Sequence, residues 1–420
     1  MRFLYIVIAY LLSPVVVGAL ALRGFRDRSH WQGFSQRFGL GESIADRRSI
    51  WVHAVSVGEV QAAVPLVEAL LKRFPDIPLV LTTVTPTGRA RAQAIFKNRV
   101  DVRYVPIDLP GAVRRFFQRV QPRLAVILET EIWPNLYHRC GRLGVPLVLA
   151  SARISPRSVN SYRRLVGLFR ETLSHGIFIA AQSAEDAERF RSIGANPART
   201  HVIGNIKFDF GYPANIEDQG HGLRRLLGVH RPVWIAGSTH AIEEDKLLAA
   251  HALIRQRYTN ALLVLVPRHP PRFADVAASL KDQGLRFVTR TSGATVASET
   301  EVFLLDTLGE LLQFYAASDI AFVGGTLVPI GGHNLLEPAA LGLPVVAGPH
   351  TFNSADIAKK LVERGAVRIV HDAAEVAAVV GDLLADPAAR TQMGASGRRT
   401  VDDNRGAVGR LMTFLEPLLP

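Results

Sequence analysis

Short apolar, β-branched runs alternate with longer amphipathic stretches from about residue 45 to residue 347, and no other feature of the chain restricts its fold so strongly. A run of roughly four to eight such residues suits a strand buried on both faces, and the stretch between two runs suits the crossover helix of a parallel sheet. The predicted class is therefore α/β. Candidate strands are Ile50–Val57, Leu79–Thr85, Val102–Ile107, Leu124–Leu128, Pro146–Ala150 and Ile177–Gln182. Between them Val60–Phe74 places Val60, Val64, Val67, Leu70 and Leu71 on one face, and Leu136–Leu143 and Leu165–Leu173 show a similar spacing. Around residues 205–222 the pattern lapses into Gly, Asp, Asn and Pro, which reads as a linker. A second series follows, with strands at Val233–Ala236, Leu262–Val266, Phe287–Thr289, Val302–Leu305, Ile320–Val323 and Val345–Ala347 and helices near Glu243–Arg257 and Phe273–Gln283.

Two Rossmann-like halves of similar size thus flank one linker. The expected divisions are residues 1–24, 25–210 and 211–420. Ligands of open parallel sheets bind beyond the carboxyl ends of the strands, so two such halves are expected to face each other across a cleft and to suit a two-substrate transferase.

The first division is of another kind. Phe3–Leu22 runs for twenty residues without a charge, about the length a helix needs to cross a bilayer core. Arg2 precedes it, while Arg23, Arg26, Arg28 and Arg37 follow, an excess that would keep the remainder of the chain in the cytoplasm. Ala19-Leu20-Ala21 resembles a signal-peptidase site, but the apolar run is longer than the usual h-region and is followed by arginines, so an uncleaved anchor is favoured over a signal peptide or a buried helix. The whole chain carries 49 Lys+Arg against 37 Asp+Glu, a net +12, which points to acidic partners: nucleic acid, anionic lipid or a phosphorylated substrate. The basic residues are scattered rather than interleaved with aromatics, which argues against nucleic acid. Cys140 is the single cysteine, so no internal disulfide can form.

Several strand ends carry residues suited to chemistry. His53-Ala54-Val55-Ser56-Val57-Gly58-Glu59 puts Glu59 at the start of a helix at the ligand end of the sheet, where it either stabilises the helix N-terminus or serves as a general base. Glu129-Thr130-Glu131-Ile132-Trp133-Pro134-Asn135 follows a buried strand with two carboxylates and no local cation. Glu129 there could hold hydroxyls or organise the Gly58–Glu59 turn, and Glu131 could simply charge-stabilise the next helix. Thr85-Pro86-Thr87-Gly88-Arg89 offers hydroxyls, backbone N–H groups and the Arg89 guanidinium, a fair anion site. Gly204-Asn205-Ile206-Lys207-Phe208-Asp209 ends the first half with Lys207, a residue type more often solvated than functional.

In the second half, Ala236-Gly237-Ser238-Thr239-His240 is a small-residue turn able to bring backbone close to a phosphate. Val266-Pro267-Arg268-His269-Pro270 sets a guanidinium and an imidazole at another strand end. Gly324-Gly325-Thr326 and Gly331-Gly332-His333-Asn334-Leu335-Leu336-Glu337-Pro338 frame a loop before a helix. Glu337 could accept ribose hydroxyls, or Asn334 and Glu337 could form a capping box, and the two roles are compatible. The sequence has no GxxxxGK[ST], GxGxxG after a first strand, HExxH or Asp-x-Asp, so nucleoside-triphosphate hydrolysis, NAD binding and a zinc site lose support and no metal or cofactor is expected.

Taken together, HAVSVGE at 53–59, TPTG at 85–88, ETEIWPN at 129–135, GNIKFD at 204–209, AGSTH at 236–240, PRHP at 267–270 and GGHNLLEP at 331–338 resemble the 3-deoxy-D-manno-octulosonic acid (Kdo) transferases of lipopolysaccharide synthesis, over essentially the whole chain. The resemblance implies a GT-B fold. It also implies inverting, metal-independent transfer of Kdo from CMP-β-Kdo to the lipid A precursor lipid IVA, at the cytoplasmic face of the inner membrane, where anionic lipid would meet the anchor. By position, Glu59 resembles the family's base and Glu129 the carboxylate near acceptor and base. Arg89 and Lys207 look placed to meet acidic groups of donor or acceptor. Gly237, Ser238, Arg268, His269, Gly332, Asn334 and Glu337 resemble the CMP-binding set, with Glu337 on the ribose. The rival readings are another GT-B nucleotide-sugar transferase or epimerase, and a membrane-anchored protein that binds anionic lipid without catalysis.

Overall fold

A computed structural model describes residues 1–44, 48–164, 166–174 and 176–419, which form two compact units. Unit 1 comprises Met1–Gly211 together with Asn404–Pro420, and unit 2 comprises Tyr212–Asp403. Unit 2 therefore ends at Asp403, short of the end of the expected third division, 211–420. The last helix, Ala407–Leu415, buries Ala407, Leu411 and Leu415 in a core of the first unit, and Asp209 accepts the Gly406 and Val408 N–H groups at its start.

The first helix of unit 1, α1, spans Arg2–Arg26 with Pro14 inside it. The sheet consists of β1 (Ser49–His53), β2 (Leu79–Thr83), β3 (Asp101–Tyr104), β4 (Pro122–Leu128), β5 (Leu147–Ala152), β6 (Phe178–Ala181) and β7 (Thr200–Val202), all parallel, in the order β3-β2-β1-β4-β5-β6-β7. Crossovers are made by α2 (Val57–Arg73), α3 (Pro86–Phe96), α4 (Pro110–Val120) and α5 (Pro134–Leu143). Every residue of β1 is buried because both faces are covered: Ile50 and Val52 join one hydrophobic cluster and Trp51 joins the other. That double burial is why the strands read as continuous apolar runs rather than alternating ones.

Unit 2 repeats the plan with β8 (Val233–Thr239), β9 (Leu262–Pro267), β10 (Phe287–Thr289), β11 (Val302–Leu304), β12 (Ile320–Val323), β13 (Val345–Ala347) and β14 (Val367–Ile369), again all parallel, in the order β10-β11-β9-β8-β12-β13-β14.

Some expected boundaries move. The strand drawn as Ile50–Val57 ends at His53, because α2 already starts at Val57, with Ser56 in the N-cap position, and the residues between leave the ladder. The linker drawn at 205–222 is shorter. Ile206–Asp209 forms a turn with Ile206 and Phe208 buried, and a helix starts at Ile216. Leu165, first residue of the Leu165–Leu173 pattern, lies outside the described residues, and the helix there is Val166–Leu173.

Strand order reverses direction between β1 and β4 in unit 1 and between β8 and β12 in unit 2. Such reversal points splay the flanking loops and open a crevice at the carboxyl ends of the strands. Glu59 follows β1 and Glu129 follows β4. Ser238 and Thr239 end β8, and Gly324 follows β12.

Candidate active site

In unit 1, Glu59 lies in the first turn of α2, and its Oε2 accepts the Val55 N–H at 2.8 Å. Burial pushes its carboxyl up to about 7. The Val55 hydrogen bond and Lys207 oppose that rise, and the Glu129 and Glu131 carboxylates add to it. Gly58 beside it leaves open space, since a Cβ there would meet nothing nearer than Ser56 Oγ at 3.9 Å.

Glu129 adopts φ +58°, a left-handed conformation that costs a non-glycine residue on the order of 1–3 kcal/mol and is held only where the surroundings enforce it. Here the enforcement is visible. The Glu129 N–H bonds Ala150 O at 3.0 Å, and its carboxylate pairs with Lys207 Nζ at 2.7 Å and Arg153 Nε at 3.2 Å. Burial alone would raise the Glu129 carboxyl, but the two cations outweigh it and the net direction is downward, so Glu129 stays ionised. Lys207 is set in place by Asn205, whose Oδ1 caps the Lys207 N–H while its amide donates to Gln182 Oε1 at 3.0 Å. Both Glu129 and Lys207 are thus committed to one another.

Glu131 caps no backbone N–H of the next helix. Its carboxylate accepts the Trp133 indole at 2.9 Å, and α5 is instead capped by Asp108, which accepts the Asn135 and Leu136 N–H groups at 2.9 Å.

Thr85 Oγ1 caps α3 by accepting the Gly88 N–H, so that donor is spent within the turn. Arg89 is left with its Nε buried and unpartnered, its guanidinium 5.4 Å from the centroid of the Tyr104 ring. Arg37 lies 4.0 Å from the same ring centroid, with Nη2 on Val84 O at 2.8 Å. Only 4% of Arg37 is exposed, a site cation that sequence reasoning counted merely as flanking charge.

Unit 2 gathers its candidates at the β8/β12 reversal. Gly237 is required by contact: a Cβ would lie 2.2 Å from the buried Tyr315 hydroxyl. Gly237→Ala is expected to lower unit 2 stability by about 1–3 kcal/mol in denaturant titration, since Tyr315 is enclosed and cannot retreat. Ser238 has φ +60°, and its carbonyl fills the space where a Gly324 Cβ would stand. Gly332 has φ +79° and donates its N–H to Gly325 O at 2.8 Å, closing the loop between the glycine pairs.

Three histidines meet here. His240 Nε2 and His333 Nε2 are 2.8 Å apart, and His269 sets its ring edge-on to His240 with centroids 5.3 Å apart. Burial, then the neighbouring imidazoles and Arg268, lowers His333 to about 3 and also lowers His240, so both stay neutral. Asn334 Oδ1 accepts the Leu336 N–H and its amide donates to Glu337 Oε1 at 3.0 Å, a side-chain pair in place of the expected capping box, because the helix starts one residue later, with Leu335 at the N-cap. Burial raises the Glu337 carboxyl, against Asn334 and Arg268.

A second residue that sequence reasoning missed is Glu243. It is fully buried, and its two oxygens accept the Gly325, Thr326 and Leu327 N–H groups at 2.7, 3.1 and 2.9 Å and the His240 N–H at 3.3 Å. It stands in an acidic triplet, Glu243-Glu244-Asp245, that reads as ordinary charge at a helix start.

Two parallel seven-stranded sheets, each with a crevice at its reversal point, define the GT-B fold. A family model of glycosyl transferases group 1 matches residues 245–400, and one described as 3-deoxy-D-manno-octulosonic-acid transferase (kdotransferase) matches residues 32–210. The chain is 38% identical over 421 residues to a 3-deoxy-D-manno-octulosonic acid transferase of Haemophilus influenzae, covering 100% of this chain and 99% of that one. It is equally 38% identical to the enzyme of that name from Bordetella pertussis, covering 97% of each. Among solved structures, the UDP-GlcNAc 2-epimerase of Neisseria meningitidis shares the fold, with TM-score 0.58 at 13% identity over 88% of this chain and 100% of that one. The chain belongs to the 3-deoxy-D-manno-octulosonic acid transferase family.

The ionisation of Glu59 gives this site a pH signature. If Glu59 works as a base, kcat/KM rises with pH through about 7 as its proton leaves. Because the folded protein binds that proton more tightly than the unfolded chain does, this group reduces stability as pH rises from 4.5 to about 7. Glu129→Gln removes a charge that raises Glu59 and should move the acid limb of the kcat/KM profile down. Lys207→Met removes a charge that lowers it and should move the limb up. Limbs that coincide in all three proteins would separate Glu59 from the rate.

Proposed function

We propose that the chain transfers Kdo from CMP-β-Kdo to lipid IVA, with inversion and without a metal, at the cytoplasmic face of the inner membrane. The observation that carries the reading is the Glu59 carboxyl, held near neutrality beside the Glu129–Lys207 pair at the reversal point of its sheet. A base with a pKa near the working pH is ionised often enough to accept a proton and basic enough to take one. In this reading Glu59 removes the proton of the acceptor hydroxyl as that oxygen bonds the anomeric carbon, and the bond from that carbon to the CMP phosphate breaks with its electron pair on the phosphate. Arg268 and the backbone around Gly237, Ser238 and Gly332 meet the growing phosphate charge, His269 lines the same donor site, and Glu337, oriented by Asn334, takes the ribose. Glu129 and Lys207 set the field at Glu59, while Arg89, with Arg37 and Tyr104, offers a cation to acidic groups of acceptor or donor.

The anchor α1 would place unit 1 at a surface rich in anionic lipid. The test is to incubate the purified full chain with CMP-Kdo and lipid IVA in EDTA, following CMP release and the mass of the lipid. Acceptor-dependent CMP release and a lipid heavier by Kdo support the proposal. Release of UDP from UDP-sugars instead, or lipid binding with no nucleotide released under any condition, would overturn it.

A further inference from the structure

By length and composition α1 could cross a bilayer: an 18-residue window within Arg2–Phe25 has a mean hydropathy of 2.3, and twenty-five helical residues extend roughly 37 Å against a hydrocarbon core of about 30 Å. Its start, however, is bonded to the body of unit 1. The Tyr5 hydroxyl donates to Asp108 Oδ2 at 2.9 Å, and Arg2 Nε donates to Asn135 Oδ1 at 3.3 Å. Asp108 is 4% exposed and is the carboxylate that caps α5, so Tyr5 joins an interior lock rather than a surface contact.

The chain that leaves the other end of α1 returns to the same place. Arg115 Nε donates to Phe38 O at 2.9 Å, and Gly39 packs so tightly on α4 that a Cβ would lie 2.2 Å from Ala112 O. Asp108 stands just before α4, and Ala112 and Arg115 lie in its first two turns. Residues 5 and 39 are therefore held by one short stretch of unit 1, and no bilayer core can stand between them.

The exposed side of the helix is nonetheless apolar. Leu4, Ile8, Leu11, Val15, Leu22 and Phe25 recur at helical spacing and are 45–79% exposed, and Phe3, Tyr10 and Leu12, exposed as well, carry the apolar surface around most of the helix. A helix so exposed and apolar, with no charge between Arg2 and Arg23, suits the acyl region of one leaflet, with the Arg23 guanidinium reaching the headgroups.

We infer that α1 does not span the membrane but lies along one leaflet, docked through Tyr5–Asp108, with both its ends on the side of unit 1. The inference rests on the membrane anchorage proposed above and concerns its geometry. Its test uses the full chain with a single added cysteine, placed either in a tag ahead of Met1 or at the exposed position 93 by Gln93→Cys; native Cys140 is buried and stays silent. A membrane-impermeant maleimide should label both added cysteines in sealed inverted membrane vesicles and neither in intact spheroplasts. Labelling of the tag cysteine in spheroplasts would show a spanning helix, and loss of the tag by cleavage would show a signal peptide; either overturns the in-plane placement. Separately, Leu11→Asp with Val15→Asp leaves Arg2 and Tyr5 intact and should cut partition onto vesicles of phosphatidylethanolamine and phosphatidylglycerol by about tenfold or more. Undiminished partition would remove α1 as the membrane contact and take the anchorage down with it, whereas spheroplast labelling alone leaves anchorage standing.

Discussion

Glu59→Gln is expected to lower kcat for Kdo transfer by about 10² to 10⁴, the usual loss when a positioned base is removed, with nucleotide binding retained. Glutamine is the informative replacement. It keeps an oxygen that can accept the Val55 N–H and nearly the same volume, so the start of α2 is not disturbed. What it removes is a buried carboxyl whose ionisation the folded state resists, and the variant should therefore be as stable as the parent at pH 8 or more so. An activity loss with no stability loss is the pattern a structural helix cap would not give, because losing a cap lowers stability first. Turnover near that of the parent, measured as CMP released with lipid IVA present, would remove Glu59 from the chemistry.

Glu59 was legible because its position at a strand end needs only the local pattern to locate it. Its ionisation was not. That depends first on the burial of the folded site and then on Glu129 and Glu131, some seventy residues away, being brought beside it by the β1–β4 pairing, and on Lys207 from the end of the half. The strands separate in the same way. Twelve of them contain short apolar or β-branched runs, most of them fully buried, and these were found; even the half-buried edge strand β10 keeps Phe287-Val288-Thr289. The two missed, β7 and β14, are edge strands of three residues. Thr200 is buried while His201 and Val202 are exposed, and Val367 is buried beside exposed Arg368, so neither shows a run. The last helix has a clear apolar face, but nothing local says that its partner is α2 of the other half, because the Asp209 carboxylate that receives its N-terminus is about two hundred residues earlier in the chain.

Glu243 is the extreme case of such concealment, and it carries the largest expected structural effect. Its oxygens divide the work: Oε1 takes the Thr326 and Leu327 N–H groups, and Oε2 takes those of Gly325 and His240. No water reaches a fully buried carboxylate, so Glu243→Ala strands four N–H groups and should destabilise unit 2 by about 3 kcal/mol or more. Glutamine does not repair this, since turning its oxygen toward one pair of donors points its own NH₂ at the other pair. Glu243→Gln should therefore retain roughly half of the lost stability, an order Glu243→Ala below Glu243→Gln below the parent that simple volume loss would not produce. The damage should be local. Hydrogen exchange in Gly324–His333 should speed up while peptides of unit 1 keep their protection, and because Gly332, Asn334 and Glu337 hang from that loop, affinity for CMP should fall with it. Unchanged exchange in Gly324–His333 would mean that the loop is held by the Ser238 and Gly332 backbone contacts alone, with Glu243 a passenger in the core.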